Sequence, residues 1–486
     1  MFLSMKNKIL ALFGTISEML AELGKMSNKS GAIEECSAAL AAILNQLDKE
    51  ESSPPQSKQM LLEIQAAFAA LYADGSLIND IAIKTLDKQV KVLRETVAAE
   101  IKPKLNIVFF PYKASMWDSL ESIYEAAAKD SNCVAKVVPI PYYQLSNDNA
   151  FGTYEGDFFP SHIPITHYNA YSLENEQPDI IYVHNIYDEY NTLTRVHEMY
   201  FTSNLKQYTE MLVYVPYHVS SFVLPVEGDR SMAYDIPTIK NVDKVIIVNE
   251  PLKQMAIRSG VPEGKLLAMG SPKLDALNKA LNTEIEYPLE WRERIAGKTV
   301  YLINTEVMFF ASNVHFRLEW LTHFFNIPRI DNDSIIIWRP HPLTQISVMK
   351  YSPNLTEYYV NLTDSIRNKD PLYKHIILDE SADYIPALMA ADVMITHVGS
   401  LLISYLLTEK KVLFWGDKMP ENSLVPSNAF YYAFNPNEPW YELVKSFSAG
   451  NDPLAENRKG LASKIYVNSD GSSGAKIYQE IKDCVL

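Results

Sequence analysis

Cysteine is scarce in this 486-residue chain: Cys36, Cys133 and Cys484 lie far apart and form no CxxC pair. Their spacing argues against a disulfide framework or a cysteine-based zinc site, and it favours a reduced, cytoplasmic environment. Motifs for metals and dinucleotides are missing too: the sequence has no HExxH, no DxD after a strand, no EF-hand loop, no GxGxxG and no Walker lysine loop. We therefore expect neither a metal nor a cofactor.

Basic charge and long apolar runs are also lacking. The formal net charge is −15, which argues against nucleic acid as a partner because a phosphate-binding surface usually carries a basic face. No apolar run reaches the roughly 18 residues that a bilayer span requires. The apolar stretch Ile9–Phe13 is soon broken by polar residues and no cleavage site follows, so an amphipathic helix is expected there rather than an export signal.

Residues 1–103 show almost purely helical patterning, as in the stripe formed by Ile33, Cys36 and Leu40. This region predicts a small helical bundle or two helical hairpins. One interpretation is a docking module, for peripheral contact with the inner face of the membrane or for homo-oligomerisation. The other is a bundle folded on itself or on the catalytic body. Its 11 basic and 13 acidic residues nearly cancel, which favours the second interpretation.

After Pro103, short β-branched runs alternate with helical segments, which predicts parallel sheets with crossover helices. The expected strands fall into two series: Asn106–Phe110, Val134–Ile140, Asp179–His184, Met211–Val215 and Lys244–Val248, then Thr299–Asn304, Ser334–Arg339, His375–Leu378, Val393–Thr396 and Val412–Trp415. The fold class is therefore α/β of the GT-B type, with Rossmann-like lobes at 104–285 and 286–486 and a cleft between them. The stretch 141–178 has weak periodicity and is expected to form loops.

In doubly wound sheets, ligands bind beyond the carboxyl ends of the strands. In the second lobe, Arg339–Pro342 and Asp379–Ser381 follow predicted strands, and His397–Ser400 runs from a strand into a helix. Gly399 would permit close backbone approach and Ser400 could cap the helix, which suits a phosphate or diphosphate; a plain loop with a capping serine is the alternative. The candidate residues of this lobe are Arg339, His341, Glu380, His397, Gly399 and Ser400.

The first lobe has its own strand-end candidates, which are Lys113, Asp118, His184 and His218. Lys113 could neutralise a phosphate, and His184 or His218 could act as a general base. The alternatives are that Lys113 and Asp118 form a local ion pair and that one histidine is only a hydrogen-bonded loop residue.

With these residues in view, the sequence resembles the CDP-glycerol glycerophosphotransferase family, the enzymes of the teichoic-acid polymerase type, over about residues 105–485. The resemblance is strongest at Phe110–Ser122, Arg339–Pro342 and Tyr384–Trp415. It implies a GT-B fold and transfer of glycerol or ribitol phosphate from a CDP-polyol donor to a hydroxyl of a cell-surface polymer or its lipid-linked precursor. It also implies that the second lobe binds the nucleotide, with His341 and Ser400 near the diphosphate, while the first lobe receives the acceptor.

Two motifs differ from the family pattern. Val215–Val219 stands where better-known members have Trp-His-Gly and a later lysine, so that His218 is the nearest counterpart of their histidine. His397–Ser400 stands in place of Asp-Tyr-Ser-Ser, and only Ser400 carries over.

The expected mechanism is metal-free phosphoryl-type transfer, with His218 or His184 as base and with Arg339, His341 and the Gly399–Ser400 amides stabilising the leaving diphosphate. Two other functions stay open: a glycosyltransferase that uses a nucleotide sugar, and a non-catalytic assembly protein. The retained Arg339–Pro342 motif argues against the second.

Overall fold

The computed structural model of the chain describes residues 1–50, 55–145, 150–219, 222–226, 234–307, 309–310, 314–416, 418–433 and 440–486. By packing, the chain divides into two compact units. The first contains Met1–Ile107 with the short segments Asp130–Val134 and Glu174–Asp179, and the second contains Val108–Lys129, Ala135–Leu173 and Ile180–Leu486. The division into 1–103, 104–285 and 286–486 stays a prediction.

The N-terminal region is helical, as predicted. Its four helices are α1 (Leu3–Glu22), α2 (Lys29–Asp48), α3 (Pro55–Ala73) and α4 (Asp80–Glu100). Asn28 and Asn79 cap α2 and α4 by accepting backbone N–H groups, as asparagine at a helix start commonly does. Apolar residues at helical spacing bury one shared core, including Phe13, Leu40 and Phe68. The helices therefore form a bundle with its own interior.

Fifteen strands are present in the described residues. They are β1 (Leu105–Phe110), β2 (Cys133–Val137), β3 (Tyr142–Leu145), β4 (Ala150–Thr153), β5 (Ile180–Val183), β6 (Thr194–Val196), β7 (Met211–Tyr214), β8 (Lys244–Ile247), β9 (Leu266–Ala268), β10 (Thr299–Thr305), β11 (Ser334–Pro340), β12 (Ile376–Leu378), β13 (Val393–Thr396), β14 (Lys411–Phe414) and β15 (Tyr431–Tyr432).

The helices that follow α4 alternate with these strands. In the first lobe they are α5 (Glu121–Lys129), α6 (Leu173–Glu176), α7 (Thr202–Leu205), α8 (Glu250–Arg258) and α9 (Pro272–Leu281). In the second lobe they are α10 (Leu289–Ile295), α11 (Val314–Phe325), α12 (Ile327–Ile330), α13 (Thr344–Tyr351), α14 (Thr356–Arg367), α15 (Ile385–Ala390), α16 (Ser400–Tyr405), α17 (Trp440–Ser448), α18 (Ala455–Arg458) and α19 (Leu461–Ile465). The last helix, α20 (Ser473–Val485), packs against α5 and α9 of the first lobe.

Two sheets of six strands define the lobes. The first has the order β2-β1-β5-β7-β8-β9 and the second the order β12-β11-β10-β13-β14-β15. Neighbouring strands are parallel, for example β5 with β7 and β10 with β13. The central strands β1, β5 and β11 are buried along their whole length, as expected of strands covered on both faces. The predicted fold class, two doubly wound lobes preceded by helices, is confirmed.

Strand order locates the ligand-binding edge. In the second sheet, β11 and β12 lie on one side of β10 and β13 to β15 lie on the other, so the strand order reverses between β10 and β13. In the first sheet, the strand order reverses in the same way between β1 and β5. A crevice opens at the carboxyl ends of the strands at such a switch point. The residues that follow these strands are therefore the first place to look for a site.

The stretch 141–178 differs from the loops that were predicted. It contains β3 and β4, which form an antiparallel sheet with β6 in the order β4-β3-β6. The alternation in this stretch is interrupted by Tyr, Asn and Gly, which explains why its periodicity was too weak to indicate strands. Within the described residues, no helix is both long and apolar enough to cross a membrane.

Candidate active site

Three neighbouring strands of the second sheet end side by side in charged or titratable residues. In the register of β10 with β11, Thr305 lies opposite Pro340, so that Glu306 and His341 follow at the same level. On the other side of β10, Ile303 pairs with Ile395, which brings His397 to the same edge. The sheet therefore gathers one carboxylate and two imidazoles at its switch point.

His341 is oriented by its own loop. Its Nδ1 accepts the backbone N–H of Leu343 at 3.1 Å, so the neutral ring carries its proton on Nε2. Burial and the charges of Lys113 and Arg339, against the opposing effect of Glu306, lower the pKa of His341 to about 4. At neutral pH the ring is thus an uncharged N–H donor, which suits a phosphate oxygen.

His397 is also neutral at physiological pH. Its ring stacks on Trp415 at 4.8 Å and 18°, and its Nε2 is buried without a hydrogen-bond partner among the described residues. Burial, followed by the charge of Arg317, lowers its pKa to about 4. A buried nitrogen without a partner is costly, so this atom is a candidate contact for a ligand.

Glu306 was not singled out from the sequence. It lies one residue beyond β10 and forms an ion pair with Arg317 of α11 at 2.6 Å. The charge of Glu306 acts on both His341 and His397. The rule applied to the other strands, which is to inspect the residue after each apolar run, would have found it, because Thr299–Asn304 was correctly predicted as a strand.

Arg339 and Glu380 have other partners. The buried guanidinium of Arg339 pairs with Asp379, and its NH2 donates to the carbonyl of Ser381 at 2.8 Å. The terminal nitrogens of Arg339 hold the loop beside His341 in this structure, and direct contact with phosphate stays a prediction. The carboxylate of Glu380 accepts two hydrogen bonds from Arg367, at 2.7 and 2.9 Å. Both of its oxygens therefore already have a partner within the protein.

The loop before α16 differs in detail from the prediction. Gly399, not Ser400, is the N-cap residue of α16, and no side chain caps the helix. Ser400 is exposed, and its hydroxyl makes no hydrogen bond that caps the helix. No atom lies within 4 Å of a Cβ built on Gly399, which leaves open space beside the backbone.

Lys113 is the outstanding cation of the first lobe. It is 8% exposed, and its Nζ lies 5.1 Å from the centroid of the Tyr142 ring. Burial lowers its pKa, while the charge of Glu155 acts in the opposite direction. The carboxylate of Glu155 is held by the N–H of Ala114 at 2.9 Å and by the hydroxyl of Tyr142.

His184 and His218 have contrasting environments. His184 is completely buried, and its Nε2 accepts the N–H of Tyr112 at 3.1 Å while Nδ1 lies 3.1 Å from the Ser119 hydroxyl. Both ring nitrogens of His184 are thus used by the protein, which favours the alternative of a hydrogen-bonded structural residue; the role of base stays a prediction. The ring of His218 is partly exposed, and its Nδ1 has no hydrogen-bond partner among the described residues.

Asp118 does not pair with Lys113. Its carboxylate accepts the ammonium of Lys273 at 2.8 Å and the hydroxyl of Tyr384 at 2.7 Å. The local ion pair that was considered as an alternative is therefore wrong. Lys273 was missed because it lies 155 positions further along the chain, a separation that no local pattern reveals.

Glu306, His341 and His397 thus share one edge of the second sheet, and the charge of Lys113 from the first lobe acts on His341. His218 and Lys273 form a second group, as the charge of Lys273 acts on His218. In the described part of the chain, no group of three or more His, Cys, Asp or Glu residues is arranged to hold a metal ion. Metal independence stays a prediction.

The sequence matches no protein-family profile and no curated protein. Among solved structures, a UDP-N-acetylglucosamine 2-epimerase is similar, with 13% identity over 78% of this chain and 96% of that chain and a TM-score of 0.49. The Methanocaldococcus jannaschii UDP-GlcNAc 2-epimerase in complex with UDP-GlcNAc and UDP has 17% identity over 78% and 99%, with a TM-score of 0.46. A histidine-to-alanine variant of the wall teichoic acid polymerase TagF has 15% identity over 79% and 90%, with a TM-score of 0.48. Likeness at this level does not bear on activity.

Proposed function

We propose that the chain is a transferase that moves glycerol phosphate, or a related polyol phosphate, from a CDP-activated donor to a hydroxyl of a cell-surface polymer or its lipid-linked precursor. The observation that carries this proposal is the approach of Lys113 to His341 from opposite lobes. The ammonium of Lys113 forms no hydrogen bond or ion pair with any described residue, and its charge acts on His341. An ammonium and an N–H donor that converge in this way suit a phosphate group. The family resemblance supports a CDP-polyol as the donor.

In the proposed reaction, His218 accepts the proton of the acceptor hydroxyl. The acceptor oxygen then forms a bond to the phosphorus that carries the polyol, and the bond from that phosphorus to the CMP oxygen breaks. CMP leaves with the electron pair. His341 donates a hydrogen bond through Nε2–H to the diphosphate, and the Gly399–Ser400 amides and the Ser400 hydroxyl are further candidate donors. Stabilising developing charge with such prearranged donors is the main source of catalysis in transfers of this kind.

The remaining predicted residues take supporting roles in this proposal. Arg339 holds the loop beside His341 rather than the phosphate, and Lys113 orients a phosphate of donor or acceptor. His397 presents a buried nitrogen that a ligand could satisfy. Glu380 and Asp118 act through their partners Arg367 and Lys273.

A ligand-binding panel tests the proposed function. CMP, CDP-glycerol, CDP-ribitol, UDP, UDP-sugars and ADP would be compared by thermal shift and calorimetry with the full chain. At a hundredfold excess over its Kd, a ligand should contribute about 2.7 kcal/mol of stability, and we expect this from the cytidine ligands. Preference for UDP-sugars would instead indicate a nucleotide-sugar glycosyltransferase, and binding of none of these nucleotides would favour an assembly protein.

A further inference from the structure

Two buried side chains and one half-buried side chain form a polar link between the lobes. Asp118 lies between β1 and α5, and Lys273 is at the start of α9, both in the first lobe. Tyr384 belongs to the second lobe and directly precedes α15. The Asp118 carboxylate accepts Lys273 Nζ at 2.8 Å and the Tyr384 hydroxyl at 2.7 Å, and Lys273 Nζ lies 4.9 Å from the Tyr384 ring centroid. We call Asp118, Lys273 and Tyr384 the interlobe cluster.

The cluster connects to the donor side through the loop 379–384. Arg339 NH1 donates to the carbonyl of Asp383 at 3.3 Å, and Tyr384 is the next residue. Arg339 stands two residues before His341, which the proposed function places at the diphosphate. The position of Tyr384 is therefore fixed by the same guanidinium that shapes the loop beside His341.

On the acceptor side, the link between the cluster and His218 is electrostatic. Burial is the first cause of the lowered pKa of His218, and the charge of Lys273 is the second. The Tyr217 ring lies 5.3 Å from the His218 ring, and burial raises the pKa of Tyr217, which keeps that neighbour neutral. His184, at 6.1 Å from the Tyr217 ring, is neutral as well. Asp118 is turned towards Lys273 and balances its charge.

We propose that Lys273, Asp118 and Tyr384 act as positioning residues that hold the first-lobe base and the second-lobe donor loop at a fixed spacing. This inference rests on the proposed function for the identity of the reaction. Burial lowers the pKa of His218, and the charge of Lys273 acts in the same direction, so the ring is unprotonated at neutral pH and can accept a proton. Because an unpaired buried charge is strongly destabilising, the informative variants are those that keep the charge balance or remove both charges together.

The test is an NMR titration of the His218 imidazole in the full chain, with its signal assigned by its loss in His218→Gln. We expect the His218 pKa to rise from about 4 in Lys273→Met and in the double variant Asp118→Asn, Lys273→Met, but to stay below its ordinary value of 6.5 because burial is the larger cause of the lowered pKa. In Lys273→Arg it should stay near 4. The double variant covers the case in which Lys273→Met does not fold. An unchanged His218 pKa in the charge-removing variants would overturn the role of Lys273.

Tyr384→Phe tests the link to the second lobe, since it keeps the ring and removes the hydroxyl. We expect faster amide hydrogen exchange in residues 379–384 and about tenfold lower kcat, with the His218 pKa and the affinity for CMP unchanged. Wild-type exchange in that loop would overturn the link. If the wild-type chain turns over no CDP-glycerol, the proposed function fails, while the titration and the exchange still decide the role of the cluster.

Discussion

Two histidines follow neighbouring strands of the same sheet, and burial lowers the pKa of both, but they differ in the hydrogen bonds that their ring nitrogens make. His184 is completely buried, and both of its ring nitrogens lie at 3.1 Å from a protein partner. His218 is partly exposed and keeps an unpartnered Nδ1 within the described residues. A strand-end position therefore does not define a catalytic residue; what distinguishes the two is whether the hydrogen-bonding capacity of the ring is already used by the protein.

The largest expected effect comes from exchanging the base. His218→Gln should lower turnover by about 10²–10⁴-fold, the usual contribution of a positioned general base, while CMP affinity and Tm stay near wild type. Steady-state assays and calorimetry measure both properties.

His184→Gln is the matched control for that variant. It should lower Tm, because the new side chain cannot reproduce both buried hydrogen bonds. An active His218→Gln variant together with a stable but inactive His184→Gln variant would show that His184, not His218, is the base.

The same distinction applies to Arg339 and His341 in the second lobe. His341→Ala should lower turnover about a hundredfold, as for the loss of one donor to developing charge, with the fold intact. Arg339→Ala should instead destabilise the chain by about 3–5 kcal/mol, because it leaves Asp379 buried and unpaired.

Denaturation and kinetics on both variants, with Arg339→Lys as the charge-keeping control, measure these effects. If Arg339→Ala is as stable as wild type but no longer binds nucleotide, Arg339 contacts the phosphate and does not merely hold the loop.

A smaller effect, on the unfolding free energy alone, is expected from the titration of Asp179. Its carboxylate also accepts its hydrogen bonds from within the protein. Its carboxylate accepts the N–H groups of Asn106 at 2.7 Å and Ser4 at 3.1 Å, and burial raises its pKa from 3.8 to about 6. Between these values the folded state keeps a proton that the unfolded state has lost, so the unfolding free energy should fall as pH rises, by at most about 3 kcal/mol. The pH dependence of Tm measures this.

Asp179→Asn should flatten the pH dependence of Tm in this window without changing the pH profile of turnover. A slope equal to that of wild type would assign the pH dependence to other groups.

Much of the fold was predictable because it depends on local pattern. The strand Thr299–Asn304 and the helix Val314–Phe325 follow from runs of apolar residues and their spacing, and the structure places them with nearly the same bounds. The antiparallel strands β3 and β4 were not predictable, since their alternation is weak and their pairing with β6 is set by distant residues.

The site was predictable only in part, for a related reason. Residues directly after strands could be named in advance, including His341 and His397. The partners of such residues could not be named in advance. The carboxylate of Asp118, for example, contacts Lys273 and Tyr384, which lie 155 and 266 positions away in the sequence. Whether the hydrogen-bonding capacity of a polar side chain is already used depends on such contacts, as it does for His184 and Arg339.

The central claim is tested most directly by acceptor-dependent release of CMP from CDP-glycerol, measured with a glycerol-phosphate acceptor in the presence and absence of a chelator. We expect the wild-type chain to release CMP only when the acceptor is present, to form a new phosphodiester in equal amount, and to keep its rate in the chelator. The claim is contradicted if no phosphodiester forms from any CDP-polyol while a UDP-sugar is consumed. Activity that vanishes with the chelator and returns with magnesium would contradict the metal-free mechanism.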